Sequence, residues 1–257
     1  MSISIDPIFL TTTKIVRVSG AREIGSATGF FYTKNNEIFL ITNKHVIYGD
    51  KFAETDAKPE IDKVKIILHT NVADLTQNDT ETINLFDGTK ILWKEHKQKN
   101  IDVICIPINL DRAKYHFLTV SDDVLDTAGL KLHFEKLFIM GYPLGWSDTT
   151  HNLPITRIGH LSSPFGVPFD GKPYMLGDVE THPGMSGSPV FMYLKDYISE
   201  TPDGGLVTNI GATKNVLIGV FSGAPIWSVT DTVTNSPKNI PHSLSVIWFG
   251  LLIREIV

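Results

Sequence analysis

One short stretch has the composition of a nucleophile turn: Gly184-Met185-Ser186-Gly187-Ser188-Pro189, followed by the apolar run Val190 to Leu194. The flanking glycines let the backbone turn tightly enough to expose the Ser186 hydroxyl and to aim consecutive N–H groups into one concavity. Acyl transfer needs that arrangement. A serine hydroxyl is a poor nucleophile at neutral pH, so the reading requires a histidine and a carboxylate to activate it. His45, in Asn43-Lys44-His45-Val46, stands just past an apolar run and could supply the base; taken alone it reads equally well as an ordinary partly buried histidine. Asp102 heads the β-branched run Ile101 to Ile108, where a buried acid is costly unless a partner waits for it. Taken alone, it reads as a turn or cap aspartate.

The chain order His45, Asp102, Ser186 discriminates between classes of hydrolase. The α/β-hydrolase order of serine, acid, histidine would require Ser186, Asp231 and His242. Pro189 and the apolar run after the serine then argue for a strand where that class needs a helix, and Ser188 stands where its second glycine belongs. A metal site fits worse. The nine histidines are scattered, no HExxH occurs, and the one cysteine cannot build a thiolate cage. Neither a metal nor another cofactor is called for.

The elements that must position these residues read as strands. Lys14 to Val18, Thr28 to Tyr32 and Glu37 to Thr42 are short apolar or β-branched runs, the last two joined by an Asn35-Asn36 hairpin. Val64 to His69 alternates, and Asp87-Gly88 marks a second hairpin between Thr82 to Phe86 and Lys90 to Trp93. Residues 116–132, with a short helix start at Ser121 to Leu125, read as a connection between an N-terminal half, 1–115, and a C-terminal half, 133–257. The second half carries strand candidates at Lys136 to Met140, Ile155 to Leu161, Pro173 to Val179, Gly187 to Leu194, Val216 to Ser222 and Leu244 to Phe249. Helical periodicity is confined to a short terminal helix over Trp248 to Val257.

Composition narrows the partners. A formal charge of −5 and no basic stripe with interleaved aromatics argue against nucleic acid as a ligand. The apolar run Val246 to Ile253 is far shorter than the roughly 20 residues of a membrane span. The single cysteine, Cys105, excludes an internal disulfide and suits a reducing compartment, and the first ten residues are unlike a secretory signal. A cytoplasmic protein is expected.

Together these residues resemble the trypsin-like, chymotrypsin-fold serine peptidases, in particular their bacterial HtrA-like and glutamyl-endopeptidase-like branch, here without a PDZ domain. The resemblance rests on Thr42 to Val46, on Asp102-Val103-Ile104 and on Gly184 to Pro189, with support from Gly25 to Phe30, Gly141 to Gly145 and Gly219 to Gly223. It implies an all-β fold of two six-stranded antiparallel β-barrels with the site in the cleft between them. It further implies Ser186 as nucleophile, His45 as general base and acid, Asp102 as the residue orienting it, and Gly184 and Ser186 N–H groups as an oxyanion hole.

A polypeptide is the implied substrate, with Ser222 and Gly223 on the strand that pairs with it. Glu180 and Thr181 would stand at pocket positions where an acid selects Arg or Lys, unless the register turns Glu180 away. Phe221 replaces the histidine of glutamyl endopeptidases, so Glu specificity is not expected. Met185 stands where the digestive members carry an aspartate, which argues against zymogen-type activation and leaves open a repacked loop or one switched by an activating partner or self-association. A second reading also stays open: a peptide-binding module on the same fold, silent or gated by a partner.

Overall fold

In the computed structural model, residues 5–54, 56–125, 127, 130, 132, 136–201, 203–224, 227–230, 237–240 and 244–257 are described. Asp231, His242 and Gly129 lie outside them. Strands run β1 (Thr12–Ser19), β2 (Arg22–Lys34), β3 (Glu37–Thr42), β4 (Lys63–His69), β5 (Asn78–Asn84), β6 (Phe86–Asp87), β7 (Lys90–Ile91), β8 (Lys94–Glu95) and β9 (Ile104–Ile108) in the first half. The second half contains β10 (Lys136–Gly141), β11 (Ile155–Leu161), β12 (Tyr174–Asp178), β13 (Pro189–Glu200), β14 (Leu206–Gly223), β15 (Trp227–Thr230), β16 (Pro237–Ile240) and β17 (Leu244–Phe249). Among the described residues, helices are confined to single turns, α1 (His45–Tyr48), α2 (Asp122–Leu125) and α3 (Leu252–Ile256), with three short 3₁₀ segments.

The chain is all-β, and its second half closes as a six-stranded antiparallel barrel in the order β10-β11-β12-β17-β14-β13. Among the described residues the first half is a seven-stranded antiparallel sheet, β5-β4-β1-β2-β3-β9-β8. It differs from a closed six-stranded barrel because the short β8 adds a seventh strand at one edge and the edges β5 and β8 do not pair.

Alternation explains why the outer strands form. In β4, Val64, Ile66 and Leu68 are buried while Lys63 and Lys65 stay partly exposed. The central strands lack that alternation because both of their faces are covered. Ala27, Phe31 and Leu40 pack into the first half's own core, whereas Phe30, Tyr32, Phe39 and Ile41 pack across a seam against Phe191, Val220 and Trp248 of the second. The Asn35-Asn36 hairpin turns as expected, with both residues at positive φ, 52° and 65°.

Three local expectations shift. Strand β9 begins at Ile104, so Asp102 lies in an irregular lead-in two residues before it. Trp248 belongs to β17, where it pairs with Val220 and Tyr174, and the terminal helix starts only at Leu252. Strands β13 and β14 extend past the barrel as a long hairpin to Glu200 and from Leu206, because residues 195–200 go on pairing with 206–213. No helix among the described residues is long and apolar enough to cross a membrane.

Candidate active site

His45 is delivered by the end of β3 through Asn43 and Lys44, and it opens α1. A one-turn helix has little stability of its own, so its position depends on side-chain anchors. Lys44, 4% exposed, provides one: its ammonium lies 2.6 Å from Glu95, whose other oxygen accepts from Tyr48 Oη and Trp93 Nε1, each at 2.7 Å. Burial would raise the Glu95 pKa, but hydrogen bonds from Lys44, Tyr48 and Trp93 outweigh it and hold the carboxyl below its ordinary value. A depressed folded pKa means stability that is present above the ordinary carboxylate range and lost as pH falls through the lowered value. Replacing Lys44 by Met leaves a largely buried carboxylate without its cation and lowers stability at neutral pH by about 2–3 kcal/mol. Urea unfolding checks this; an unchanged midpoint and slope would show that the pair contributes nothing net.

Asp102 is 1% exposed and its carboxylate is filled with donors. Oδ1 accepts from the His45 backbone N–H at 2.8 Å, and Oδ2 accepts from His45 Nδ1 at 2.6 Å and from Ser222 Oγ at 2.5 Å. Asn43 Nδ2 holds the Asp102 carbonyl at 2.7 Å. A carboxylate that only accepts fixes the tautomer: the proton sits on His45 Nδ1, and Nε2 carries the free lone pair. Ser186 is reached through the other half, because its hydroxyl donates to the Ser222 carbonyl at 3.2 Å. The hydroxyl therefore rests on Ser222 rather than on His45.

The backbone around Ser186 is ordered bond by bond. The carbonyls of Pro183, Gly184, Met185 and Ser186 accept, in turn, from Leu144 N–H (2.6 Å), Thr28 Oγ1 (2.9 Å), Ser188 N–H (3.0 Å) and Thr28 N–H (2.9 Å). The N–H groups of Met185, Gly187 and Ser188 donate to His182, Phe221 and Met185 carbonyls. Among the described residues, those of Gly184 and Ser186 have no such partner, and they flank the nucleophile's peptide. Gly184 has φ +94°, and a Cβ there would lie 2.5 Å from the Tyr142 carbonyl oxygen. Replacing Gly184 by Ala must therefore displace this loop and the N–H beside Ser186; turnover is expected to fall about 10²–10³-fold, the loss seen when one oxyanion donor is removed. Steady-state kinetics on a peptide substrate reads it, and a kcat within threefold of the parent would exclude any role for that N–H.

The model of the trypsin-like peptidase domain matches residues 27–195, a span that carries all three of these residues. The chain belongs to the trypsin-like peptidase family. Membership places it among the serine endopeptidases. Solved structures of similar fold include the thermostable serine protease AL20 from an extremophilic microorganism, 8% identical over 95% of this chain and 93% of that one, with a TM-score of 0.52. Others are protease Anisep from Arthrobacter nicotinovorans, 13% identical over 93% and 89%, TM-score 0.48, and the active form of Rv3671c protease from M. tuberculosis, 14% identical over 96% and 84%, TM-score 0.46. At 8% identity the likeness to protease AL20 is one of fold. No curated sequence matches significantly.

This trypsin-like peptidase carries a cleft of about 730 Å³ beside His45, lined by Phe52, Asp102, Tyr174, Ser222, Gly223 and Trp248 among others. Ser222 and Gly223, at the end of β14, line this cleft. Phe221 is not at the surface: it is 2% exposed and packs into the second barrel's core with Met185, which is itself fully buried. Glu180 is turned outward, its carboxylate 73% exposed and 2.8 Å from Arg157, because the neighbouring Val179 takes the inward place in the core. Thr181, half-buried, lies outside the cleft lining. Two contributions escape a reading of residue types: the Ser222 hydroxyl on Asp102, and Thr28, whose side chain reaches the nucleophile loop from β2. Among the described residues no cluster of three or more acidic, His or Cys side chains could hold a metal ion.

Proposed function

We propose that the chain cleaves peptide bonds in extended or unfolded polypeptides through a triad of Ser186, His45 and Asp102. Ser186 Oγ attacks the scissile carbonyl while His45 Nε2 takes its proton; Asp102 holds the ring's tautomer and stabilises the imidazolium. The carbonyl oxygen becomes an oxyanion between the Gly184 and Ser186 N–H groups. Collapse of the tetrahedral species breaks the C–N bond as His45 returns the proton to the leaving amine, leaving an acyl ester on Ser186. Water, deprotonated by His45, then releases the acid and restores the serine. The exposed edge of β14 at Ser222 and Gly223 would pair with the substrate backbone, a mode that reads extended chains.

The observation that carries this reading is that Ser222 ties the parts of the site together across both halves of the fold: its hydroxyl donates to Asp102, which also holds His45, and its backbone carbonyl accepts from Ser186 Oγ. A cytoplasmic setting accords with the lone, fully buried Cys105, whose thiol burial pushes well above the ordinary range and out of redox reach. The test is digestion of an unfolded protein by the purified chain beside its Ser186→Ala variant. Peptide release that disappears in the variant supports the proposal. Binding of the unfolded protein by both, with no cleavage by either, would replace it with a peptide-binding module.

A further inference from the structure

We infer that Thr28, on β2 of the first half, is the positioning residue that sets the oxyanion donors of the second. The inference rests on the proposed roles of Gly184 and Ser186 and extends them. Gly184 must be a glycine, because a Cβ would strike the Tyr142 carbonyl, and the same freedom leaves that peptide without any conformational preference of its own. The Pro183–Gly184 peptide, which carries the donor N–H, has its carbonyl held by Leu144 N–H at 2.6 Å. The Gly184–Met185 peptide, on the other side of the glycine, needs a second restraint if Gly184 is to keep its dihedrals.

Thr28 supplies it, and holds Ser186 besides. Its backbone N–H holds the Ser186 carbonyl at 2.9 Å, and its hydroxyl donates to the Gly184 carbonyl at 2.9 Å. The direction of the second bond is fixed, because the same oxygen receives the Tyr142 N–H at 3.1 Å and has only one proton to give. Thr28 is itself fully buried, and its own carbonyl is held by Thr42 Oγ1 at 2.8 Å. A single residue thus fixes the carbonyls that follow both donor N–H groups, and it does so across the seam. Both of these bonds form only when the two halves are docked.

Thr28→Val separates the two restraints. Valine keeps the shape and the N–H bond to Ser186 but deletes the hydroxyl, which frees the Gly184 carbonyl and also leaves the Tyr142 N–H without its acceptor. Kinetics are normalised to active sites titrated with a fluorophosphonate, so unfolded protein does not count. Expected is a kcat lowered about 100-fold, the scale of a 1 Å misplacement, with KM changed less than about twofold, because ground-state substrate makes little use of the hole. Thr28→Ser, which retains the hydroxyl, should recover kcat to within about threefold of the parent. A Thr28→Val kcat per titrated site equal to the parent's would overturn the inference while leaving the peptidase reading intact; a parent that neither labels nor cleaves would overturn both. If the valine variant does not fold, Thr28→Cys, a much weaker donor, is compared with Thr28→Ser. A kcat about tenfold lower for cysteine supports the inference, and equal values overturn it.

Discussion

Replacing Ser186 by alanine abolishes turnover, with an expected loss of about 10⁶-fold, and leaves the fold in place. The two halves of that statement have separate causes. The hydroxyl makes one hydrogen bond, to the Ser222 carbonyl at 3.2 Å, so its removal changes stability by no more than about 1 kcal/mol. The bonds that fix the loop belong to backbone groups, including the Ser186 carbonyl on Thr28 N–H, and alanine keeps them. What disappears is the hydroxyl proposed to form the acyl ester. Turnover of a peptide ester together with a urea midpoint checks both halves. Retention of more than about 1% of the activity by a folded variant would place the nucleophile elsewhere.

The second large effect is at Asp102, where asparagine should lower turnover by about 10⁴-fold near neutral pH. The carboxylate accepts on both oxygens, with His45 N–H on one and His45 Nδ1 and Ser222 Oγ on the other. An amide has one oxygen and one NH₂, so it cannot satisfy all three. With NH₂ toward the backbone, two donors oppose each other in a site that is 1% exposed. With NH₂ toward the ring, Nδ1 must accept, the ring proton moves to Nε2, and the base is blocked. The first orientation keeps Nδ1–H but drives His45 off its backbone anchor, and the second removes the tautomer the reaction needs. Substrate binding, which depends on the cleft, should change much less, so the loss falls on kcat; near-normal kcat would mean that another acid orients His45.

Much of the fold could be read from residue order because its signals are local. Val64 to His69 alternates, and Asn35-Asn36 can turn only one way, so β4 and the first hairpin stand out. The long arm of β13 and β14 did not, since its apolar residues Ile198, Leu206, Val207 and Ile210 are exposed and no core marks it. Asp102 could be singled out by its expense: an acid beside a buried β-branched run demands a partner. The Ser222 hydroxyl and Thr28 carry no such signal, because small polar side chains are common in strands and their meaning depends on what the other half of the molecule brings within 3 Å. Glu180 shows the opposite limit. Its distance from Ser186 along the chain suggests a pocket position, but a side chain's face depends on register, and Val179 holds the inward place.

The most direct test of the site is covalent. The folded chain is treated with a fluorophosphonate, and the adduct is located by mass spectrometry. A single adduct on Ser186, absent from the Ser186→Ala variant and formed much more slowly in Asp102→Asn, is the expected result, since only a serine with an oriented base and an oxyanion hole reacts readily at neutral pH. A folded protein that stays unlabelled, or one labelled at another residue, would contradict the assignment of His45, Asp102 and Ser186 as a working triad.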